Sequence, residues 1–185
     1  MIVGLSGFAR SGKDSFYKMS RDLFLSKGKS SIKYAFADSL KEECYDFLLK
    51  NTGISSFTDS DNEKEIIRPF LVTYGTDVRR RMNPECWIEK VKSKIENEKN
   101  KSNYEFITDV RYENEASWVI SQGGFNIYIS RANGKPANSE EKKNDDILRG
   151  KCKYSFRWNN FTDMEKGGPI SLVSKFWESI NYGYG

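Results

Sequence analysis

The sequence predicts an α/β protein with three layers, in which helices cover both faces of a mostly parallel central sheet. Short apolar runs alternate with amphipathic segments along the 185 residues, as in successive βα units. Strands that alternate with helices imply a parallel sheet covered on both faces. This length suits one compact domain, which we predict to span residues 1–185.

The predicted strands are short apolar runs that end near a polar or charged residue. In chain order they are Met1–Leu5, Ile32–Ala37, Tyr104–Thr108, Phe125–Ser130 and Tyr154–Phe161, the last at a sheet edge. In open α/β sheets, ligands bind where the carboxyl ends of the parallel strands meet. Four residues that follow strand ends are expected there: Gly7, Asp38, Asp109 and Arg131.

The predicted helices carry apolar residues at helical spacing. They are Asp14–Lys27, Ser39–Leu49, Glu63–Met82 with interruptions at Pro69 and Gly75, a helix that starts at Pro84, Glu113–Gln122 and Ile170–Ile180. Gly123 suits a helix end, and Pro84 suits a first helical turn. Three polar segments remain: a loop at 51–62, a solvated charge run at 96–103 and a mobile flap at 132–153.

A phosphate-binding motif lies between the first strand and the first helix. Residues 7–15 read Gly-Phe-Ala-Arg-Ser-Gly-Lys-Asp-Ser, and Gly7, Gly12 and Lys13 match the P-loop pattern G-x-x-x-x-G-K-[ST]. In such a loop, backbone N–H groups and the helix N-terminus face a polyphosphate, and the lysine reaches its β- and γ-phosphates. The alternative is a glycine-rich turn without a ligand, but the flanking strand and helix favour nucleotide binding.

One position departs from the common P-loop. Asp14 stands where most P-loops have Ser or Thr, and a hydroxyl follows one residue later at Ser15. A carboxylate beside phosphates is costly unless it contacts Mg²⁺ or accepts a proton. Asp14 therefore indicates chemistry beyond nucleotide binding. The chain has 0 His, so a general base would be a carboxylate, Lys, Tyr or water.

A second acid and several arginines are further candidates. The run Phe106–Asp109 is typical of a Walker B strand, whose acid serves the Mg²⁺ of P-loop enzymes, although Asp109 could instead only cap a helix. Arg111 lies two residues further on and can point back to the same place. Arg68 is favoured over the run Arg79–Arg81 as a phosphate ligand, because charge runs usually form solvated faces.

Residues near Arg68 have the properties of a nucleotide pocket. Tyr74, Gly75 and Thr76 offer an aromatic plane, a backbone open to close approach and a hydroxyl. Trp87 lies at helical spacing from Val91, and this spacing by itself predicts a core position.

The amino-acid composition limits the kinds of molecule that this protein is expected to bind. The net charge of +4 at pH 7 fits polyanionic ligands but is low for a dedicated DNA-binding protein. The 3 Cys are far apart in the sequence and lack the spacing of metal ligands, which indicates reduced thiols in a cytosolic protein. No stretch approaches the length of a membrane span. We therefore expect a cytoplasmic protein with small-molecule substrates, no membrane association and no stable nucleic-acid partner.

Together, these motifs resemble those of the bacteriophage deoxynucleoside monophosphate kinases, in the P-loop nucleoside monophosphate kinase superfamily. The resemblance covers most of residues 1–131, and its motifs are Ser6-Gly7 with Arg10–Ser15, Ala37–Lys41, Tyr74–Asp77 with Arg79-Arg80, Trp87, and Thr108–Glu115. It implies a P-loop kinase fold and transfer of the ATP γ-phosphoryl to a deoxynucleoside 5′-monophosphate. The setting it implies is nucleotide biosynthesis for phage DNA replication in the bacterial host cytoplasm, and a homodimer is possible.

The resemblance also implies roles for individual residues. ATP would be bound by Gly7, Arg10, Ser11, Gly12, Lys13, Asp14 and Ser15, and Mg²⁺ by Asp14, Ser15 and Asp109. The catalytic residues would be Lys13, Asp14, Arg111 and Arg131. The monophosphate substrate would be bound by Asp38, Lys41, Arg68, Tyr74, Gly75, Thr76, Arg79, Trp87, Asp109, Arg111, Asn114 and Glu115.

The implied fold has a core and two accessory segments. The core would comprise about 1–37, 104–131 and 154–185, with a monophosphate-binding segment at about 38–100 and a lid at about 132–153. The lid motif is only loosely met by Asn138-Ser139-Glu140. The lid cation that reaches the transferring phosphoryl could therefore be any of Arg131, Lys135 and Arg149.

Two other functions are compatible with parts of the sequence. The first is another small-molecule P-loop kinase, acting on dephospho-coenzyme A or phosphomevalonate. The second, from a different class, is a non-catalytic nucleic-acid-binding module, which the scattered lysines allow and the complete P-loop argues against. A regulatory GTPase is disfavoured, because the sequence has no Asn-Lys-x-Asp motif.

Overall fold

The protein is described by a computed structural model that covers residues 1–98, 102–132, 134–136, 139–158 and 169–182. The chain divides into two compact units. The sheet unit comprises Met1–Tyr34 and Lys99–Gly185, and the helical unit comprises Ala35–Glu98. Nearly all of the segment predicted to bind a monophosphate, about 38–100, belongs to the helical unit. Among the described residues, no helix combines the length and apolar character needed to cross a bilayer.

A five-stranded parallel sheet forms the centre of the sheet unit, in the order β2-β3-β1-β4-β5. The strands are β1 (Ile2–Ser6), β2 (Ser31–Tyr34), β3 (Tyr104–Val110), β4 (Phe125–Arg131) and β5 (Cys152–Trp158). The predicted α/β class and the edge position of the last strand are confirmed, although residues 159–161 of the predicted edge strand lie outside the described residues. The strand that precedes the P-loop is central, between β3 and β4.

Helices flank both faces of this sheet. They are α1 (Lys13–Ser26), α5 (Glu113–Ser121), α6 (Ser139–Gly150) and α7 (Pro169–Tyr182). Phe16 and Phe24 of α1 meet Phe176 of α7 in a buried core that also includes Ile127 and Ile129 of β4. The alternate β4 residues face the other way, since Asn126 donates to a carbonyl of α5 and Tyr128 contacts α6. This alternation produces the three predicted layers.

The helical unit consists of α2 (Phe36–Thr52), α3 (Asp61–Val72), a π-helical segment (Thr73–Arg80) and α4 (Cys86–Asn97). Its core contains the buried side chains of Cys44, Leu48 and Ile67. The predicted interruptions at Pro69 and Gly75 are wrong, because the chain stays helical past both residues. Proline removes one backbone donor from a helix, and wide π-helical turns follow here in place of a break.

Several predicted boundaries shift. The second strand ends at Tyr34 instead of Ala37, because α2 begins at Phe36, whose side chain is buried. Asp38 therefore does not follow a strand. It lies in the first turn of α2, where a carboxylate favours the helix N-terminus. The loop predicted at 51–62 is shorter, since α2 extends to Thr52 and the Ser60 side chain caps α3.

The segment 132–153, predicted as a flap, contains regular structure where it is described. Ser139–Gly150 forms α6, and Cys152 already begins β5, two residues before the predicted strand. Leu148 of α6 is buried, which explains how a largely charged helix packs on the sheet unit. Lys151 adds an ion pair of 3.2 Å with Glu113 of α5.

Candidate active site

The P-loop occupies the turn between the central strand and α1. It begins at the carboxyl end of β1, where Gly7 follows Ser6, and it ends at Lys13, the first residue of α1. Asp109 is the next-to-last residue of β3, and Arg131 is the last residue of β4. Three of the four residues predicted at this edge of the sheet thus lie at or directly after the carboxyl ends of β1 and its two neighbours.

The P-loop backbone needs glycine at two positions. Gly7 and Gly12 have φ angles of 130° and 97°, a region that other residues seldom adopt. A Cβ at Gly7 would lie 2.0 Å from the Ile129 carbonyl oxygen, and one at Gly12 would lie 2.1 Å from Cζ2 of Trp158. The loop is therefore pressed against β4 and the end of β5.

The lysine of the motif folds back over its own loop. Its Nζ donates to the carbonyls of Gly7 and Phe8, at 2.6 and 2.7 Å, and the residue is largely buried. These bonds hold a positive charge at the N-terminus of α1, where the helix dipole is also positive. The arrangement favours binding of an anion.

A tryptophan that the sequence analysis did not place in the site supports this loop. The indole Nε1 of Trp158 donates to the Ser11 carbonyl at 2.6 Å, and Trp158 is 2% exposed. The Ser11 hydroxyl is also buried and has no hydrogen-bond partner among the described residues. Trp158 lies 147 residues from Ser11 in sequence, so only the fold connects them.

The unusual acid of the motif faces solvent and has a cationic neighbour. The Asp14 side chain is 71% exposed, and its Oδ1 lies 2.9 Å from Nζ of Lys33 on β2. Asp14 and Ser15 line an open pocket of about 250 Å³ with the preceding loop residues, Arg10 to Lys13. The pocket is thus lined by six of the seven residues that the resemblance assigned to ATP, all except Gly7.

Beside the P-loop, the end of β3 leads into α5. Arg111 is exposed and, with Gly7 and Asp145, lines a narrow cleft. Glu115 is 1% exposed, and its carboxylate accepts hydrogen bonds from the backbone N–H groups of Arg111 and Tyr112, at 2.7 and 3.0 Å. The structure therefore places Glu115 at the cap of α5, where it fixes the backbone that carries Arg111. Asn114 lies in the first turn of the same helix.

In the helical unit, one carboxylate is the common partner of three polar side chains. Glu43 accepts from the Tyr74 hydroxyl at 2.6 Å and pairs with Arg79 and Lys90 at 2.7 and 2.8 Å. Burial raises the pKa of the Glu43 carboxyl, but hydrogen bonds from Lys90 and Tyr74 outweigh it and leave that pKa below its ordinary value. The bond to Glu43 raises the pKa of the Tyr74 hydroxyl to about 12. Sequence reasoning missed Glu43, since nothing local distinguishes it.

The other predicted substrate residues of this unit differ in their surroundings. Trp87 is buried, as its helical spacing predicts, and its indole donates to the Gly75 carbonyl at 3.2 Å. Asp38 and Lys41 form an ion pair of 3.9 Å on α2. The Arg68 side chain is exposed and makes no ion pair with any described residue. Thr76 is half-buried.

A second polar cluster fixes α6. The Tyr128 hydroxyl donates to Asp145, and the Arg149 guanidinium lies 3.9 Å from the Tyr128 ring centroid and 2.8 Å from Asp145. Burial raises the pKa of the Tyr128 hydroxyl well above its ordinary value. Arg149, one of the three predicted lid cations, is therefore held by its own helix and by β4. Arg131 and Lys135, the other two, are exposed.

We expect Gly12→Ala to destabilise the protein by about 2 kcal/mol, because a methyl group would clash with the Trp158 ring and strain a left-handed backbone. Urea unfolding measures this loss. The matched control is Gly28→Ala, which has a similar backbone (φ 70°) but open space around its Cβ. That variant should lose only about 1 kcal/mol. Equal losses in the two variants would contradict the contact between Trp158 and the loop.

Several solved structures are distantly similar to this chain. No protein-family model and no curated protein matches the sequence. Shikimate kinase from Bacteroides thetaiotaomicron is similar with a TM-score of 0.45 and 12% identity, over 97% of this chain and 98% of that one. TT1252 from Thermus thermophilus has a TM-score of 0.47 and 10% identity, over 100% of this chain and 98% of that one. The APS kinase CysC from Mycobacterium tuberculosis, in complex with AMPPNP and APS, has a TM-score of 0.39 and 11% identity, over 97% of this chain and 96% of that one. With scores this low, the function must be argued from the chain's own residues.

Proposed function

We propose that the protein is a phosphotransferase that moves the γ-phosphoryl of ATP to a deoxynucleoside 5′-monophosphate, giving ADP and the diphosphate. The observation that carries this proposal is the P-loop itself. Its two left-handed glycines shape the loop, and its folded-back Lys13 and the N-terminus of α1 line an open pocket beyond the central strand of a parallel sheet. This is the arrangement that binds polyphosphates in nucleotide-dependent enzymes.

The donor triphosphate would lie in the P-loop pocket. Backbone N–H groups from Gly12 to Ser15 would donate to its oxygens, and Lys13 would exchange its carbonyl partners for the β- and γ-phosphates. Phosphoryl transfer needs mainly positioning and charge stabilisation, which these groups provide. Arg111, which follows β3, and Arg131, the last residue of β4, would add charge to the moving phosphoryl.

The residues present also fit Mg²⁺. Asp14, Ser15 and Asp109 offer the oxygen donors that this ion prefers. Mg²⁺ in enzymes that use nucleotides is usually held by one or two carboxylates together with substrate phosphates and water. Bound with ATP, Mg²⁺ would neutralise part of the phosphate charge.

For the monophosphate, we propose the residues of the helical unit that the motifs selected. Arg68 is the favoured phosphate ligand, since its guanidinium is exposed and not paired with a described acid, whereas Glu43 already partly neutralises Arg79. Tyr74 and Phe70 stack at 5.9 Å and present an aromatic surface suited to a base. Asp38, Lys41, Gly75, Thr76 and Trp87 complete the proposed set in this unit, with Trp87 acting from a buried position.

The acceptor is itself an anionic phosphate, so the reaction does not require a strong general base. This matches a chain with 0 His. A lid over the site would exclude water and suppress ATP hydrolysis. We place the activity in nucleotide synthesis for phage DNA replication in the host cytoplasm, on the strength of the sequence motifs.

A panel of acceptors tests the substrate. ADP release should be measured with each common deoxynucleoside and ribonucleoside monophosphate, and with dephospho-coenzyme A and phosphomevalonate. We expect turnover with one or more deoxynucleoside monophosphates. Turnover only with dephospho-coenzyme A or phosphomevalonate would replace the proposed acceptor, and a nucleic-acid gel shift without any turnover would contradict the enzyme assignment.

We expect Arg68→Ala to raise the KM for the monophosphate far more than the KM for ATP. Loss of a charge-assisted phosphate contact costs about 1.5–3 kcal/mol, which corresponds to roughly 10- to 150-fold in KM. Steady-state kinetics with each substrate varied in turn measures both values. Arg81→Ala is the matched control, because Arg81 is also exposed and belongs to the same unit. Equal changes for both substrates would remove Arg68 from the acceptor site.

A further inference from the structure

We infer that Lys33 is a further residue of the phosphate-binding site, a positioning residue that offsets the charge of Asp14 and holds this carboxylate beside the triphosphate. The inference rests on the proposed function, because it assumes that the P-loop binds ATP. No motif in the sequence includes Lys33.

The geometry connects Lys33 to the loop. Lys33 lies on β2, whose neighbour β3 separates it from β1, and its Nζ donates to Asp14 Oδ1 at 2.9 Å. Asp14 follows Lys13 in the first turn of α1. Among the described residues, Lys33 is the one cation that forms an ion pair with Asp14. The Lys13 ammonium instead bonds the carbonyls of Gly7 and Phe8.

Electrostatics gives this pair a function. A carboxylate in the first turn of α1 stabilises the helix but repels a triphosphate bound at the same helix end. An ordinary P-loop, with Ser or Thr at this position, avoids that repulsion. The Lys33 ammonium lies 2.9 Å from the Asp14 carboxylate, so the pair has no net charge and repels bound phosphates less than Asp14 alone would. The chain can then keep a carboxylate near the reacting groups without losing affinity for ATP.

The weak stabilising effect of exposed ion pairs also favours a role in binding. The side chains of Lys33 and Asp14 are 40% and 71% exposed, and pairs of this kind contribute little to folding. We therefore expect the effect of removing Lys33 to appear in nucleotide affinity and to leave thermal stability nearly unchanged.

A double-mutant cycle tests the inference. The dissociation constant of AMPPNP would be measured by calorimetry, without Mg²⁺ and at low ionic strength, for wild type, Lys33→Met, Asp14→Asn and the double variant. We expect Lys33→Met to weaken binding about five-fold, and Asp14→Asn in the Lys33→Met background to recover most of that loss. The effect should shrink at high salt. Lys33→Arg, which keeps the charge, should bind like wild type.

The matched control is Lys29→Met, since Lys29 is exposed near the start of β2 and makes no ion pair with a described residue. It should bind AMPPNP like wild type. If wild type binds AMPPNP and the two substitutions act additively, or Lys33→Met and Lys29→Met behave alike, this inference is overturned and the proposed function stands. If wild type binds no AMPPNP, the proposed function fails with it.

Discussion

Lys13→Ala should lower the rate of phosphoryl transfer by at least about 100-fold while the protein stays folded. Removal of one preorganised group that stabilises developing charge has this effect or a larger one in other enzymes. Lys13 is the cation that the loop holds against the Gly7 and Phe8 carbonyls, at the point where the γ-phosphate is expected. The measurement is kcat for ADP formation, with circular dichroism to check the fold.

Lys18→Ala provides the control for that experiment. Lys18 lies on the same helix, is exposed and makes no ion pair with a described residue. Its loss removes the same charge from α1 without touching the loop, so its kcat should stay within about two-fold of wild type, as for most surface substitutions. Near-normal turnover by a folded Lys13→Ala variant would contradict the P-loop assignment.

Asp14→Ser and Asp14→Asn should both lower kcat by roughly 100-fold, the scale of a positioned acid–base group. Ser15 already offers a hydroxyl next to Asp14, so a carboxylate kept only as a spare metal ligand would need Lys33 to offset its charge and would bring no benefit. Its negative charge is therefore expected to act on the reaction itself, by tuning the metal or by handling a proton. The ion pair with Lys33 explains how that charge can be retained at the site.

A Mg²⁺ titration of kcat separates the two roles of Asp14. If the carboxylate only increases metal affinity, high Mg²⁺ will restore wild-type kcat in both variants, and the catalytic assignment will be wrong. If its charge is needed, kcat will stay low at saturating Mg²⁺. Asp22→Asn, an exposed change on the same helix, is the control and should leave kcat unchanged.

Features that depend on neighbouring residues were predictable from the sequence. The parallel sheet, the strand and helix that flank the P-loop motif, and helices such as α5 and α7 follow from short motifs and from periodicity, and the structure agrees with them. The ends of helices and strands were harder to predict where the local conformational propensity and the burial of side chains favour different boundaries. Burial of Phe36 starts α2 early and moves Asp38 from a strand end to a helix turn. Pro69 did not stop its helix, because the chain widened into π-helical turns.

Contacts between distant segments were not predictable from the sequence. Trp158 binds the P-loop across 147 residues, and Lys33 reaches Asp14 from a strand that carries no recognisable motif. Glu43 is one of many acids on solvated helices until the fold brings Tyr74 and Arg79 to it. In each case the partner is set by topology, and a single sequence contains no local signal of that pairing.

The most direct test of the central claim follows the phosphorus atoms by ³¹P NMR. Wild-type protein would be incubated with ATP, Mg²⁺ and a deoxynucleoside monophosphate, with Lys13→Ala as the inactive control. We predict that the γ-phosphate signal of ATP falls while the β-phosphate signals of ADP and of the deoxynucleoside diphosphate rise in equal amounts. Accumulation of inorganic phosphate in place of the diphosphate, or an unchanged spectrum with every monophosphate, would contradict the account.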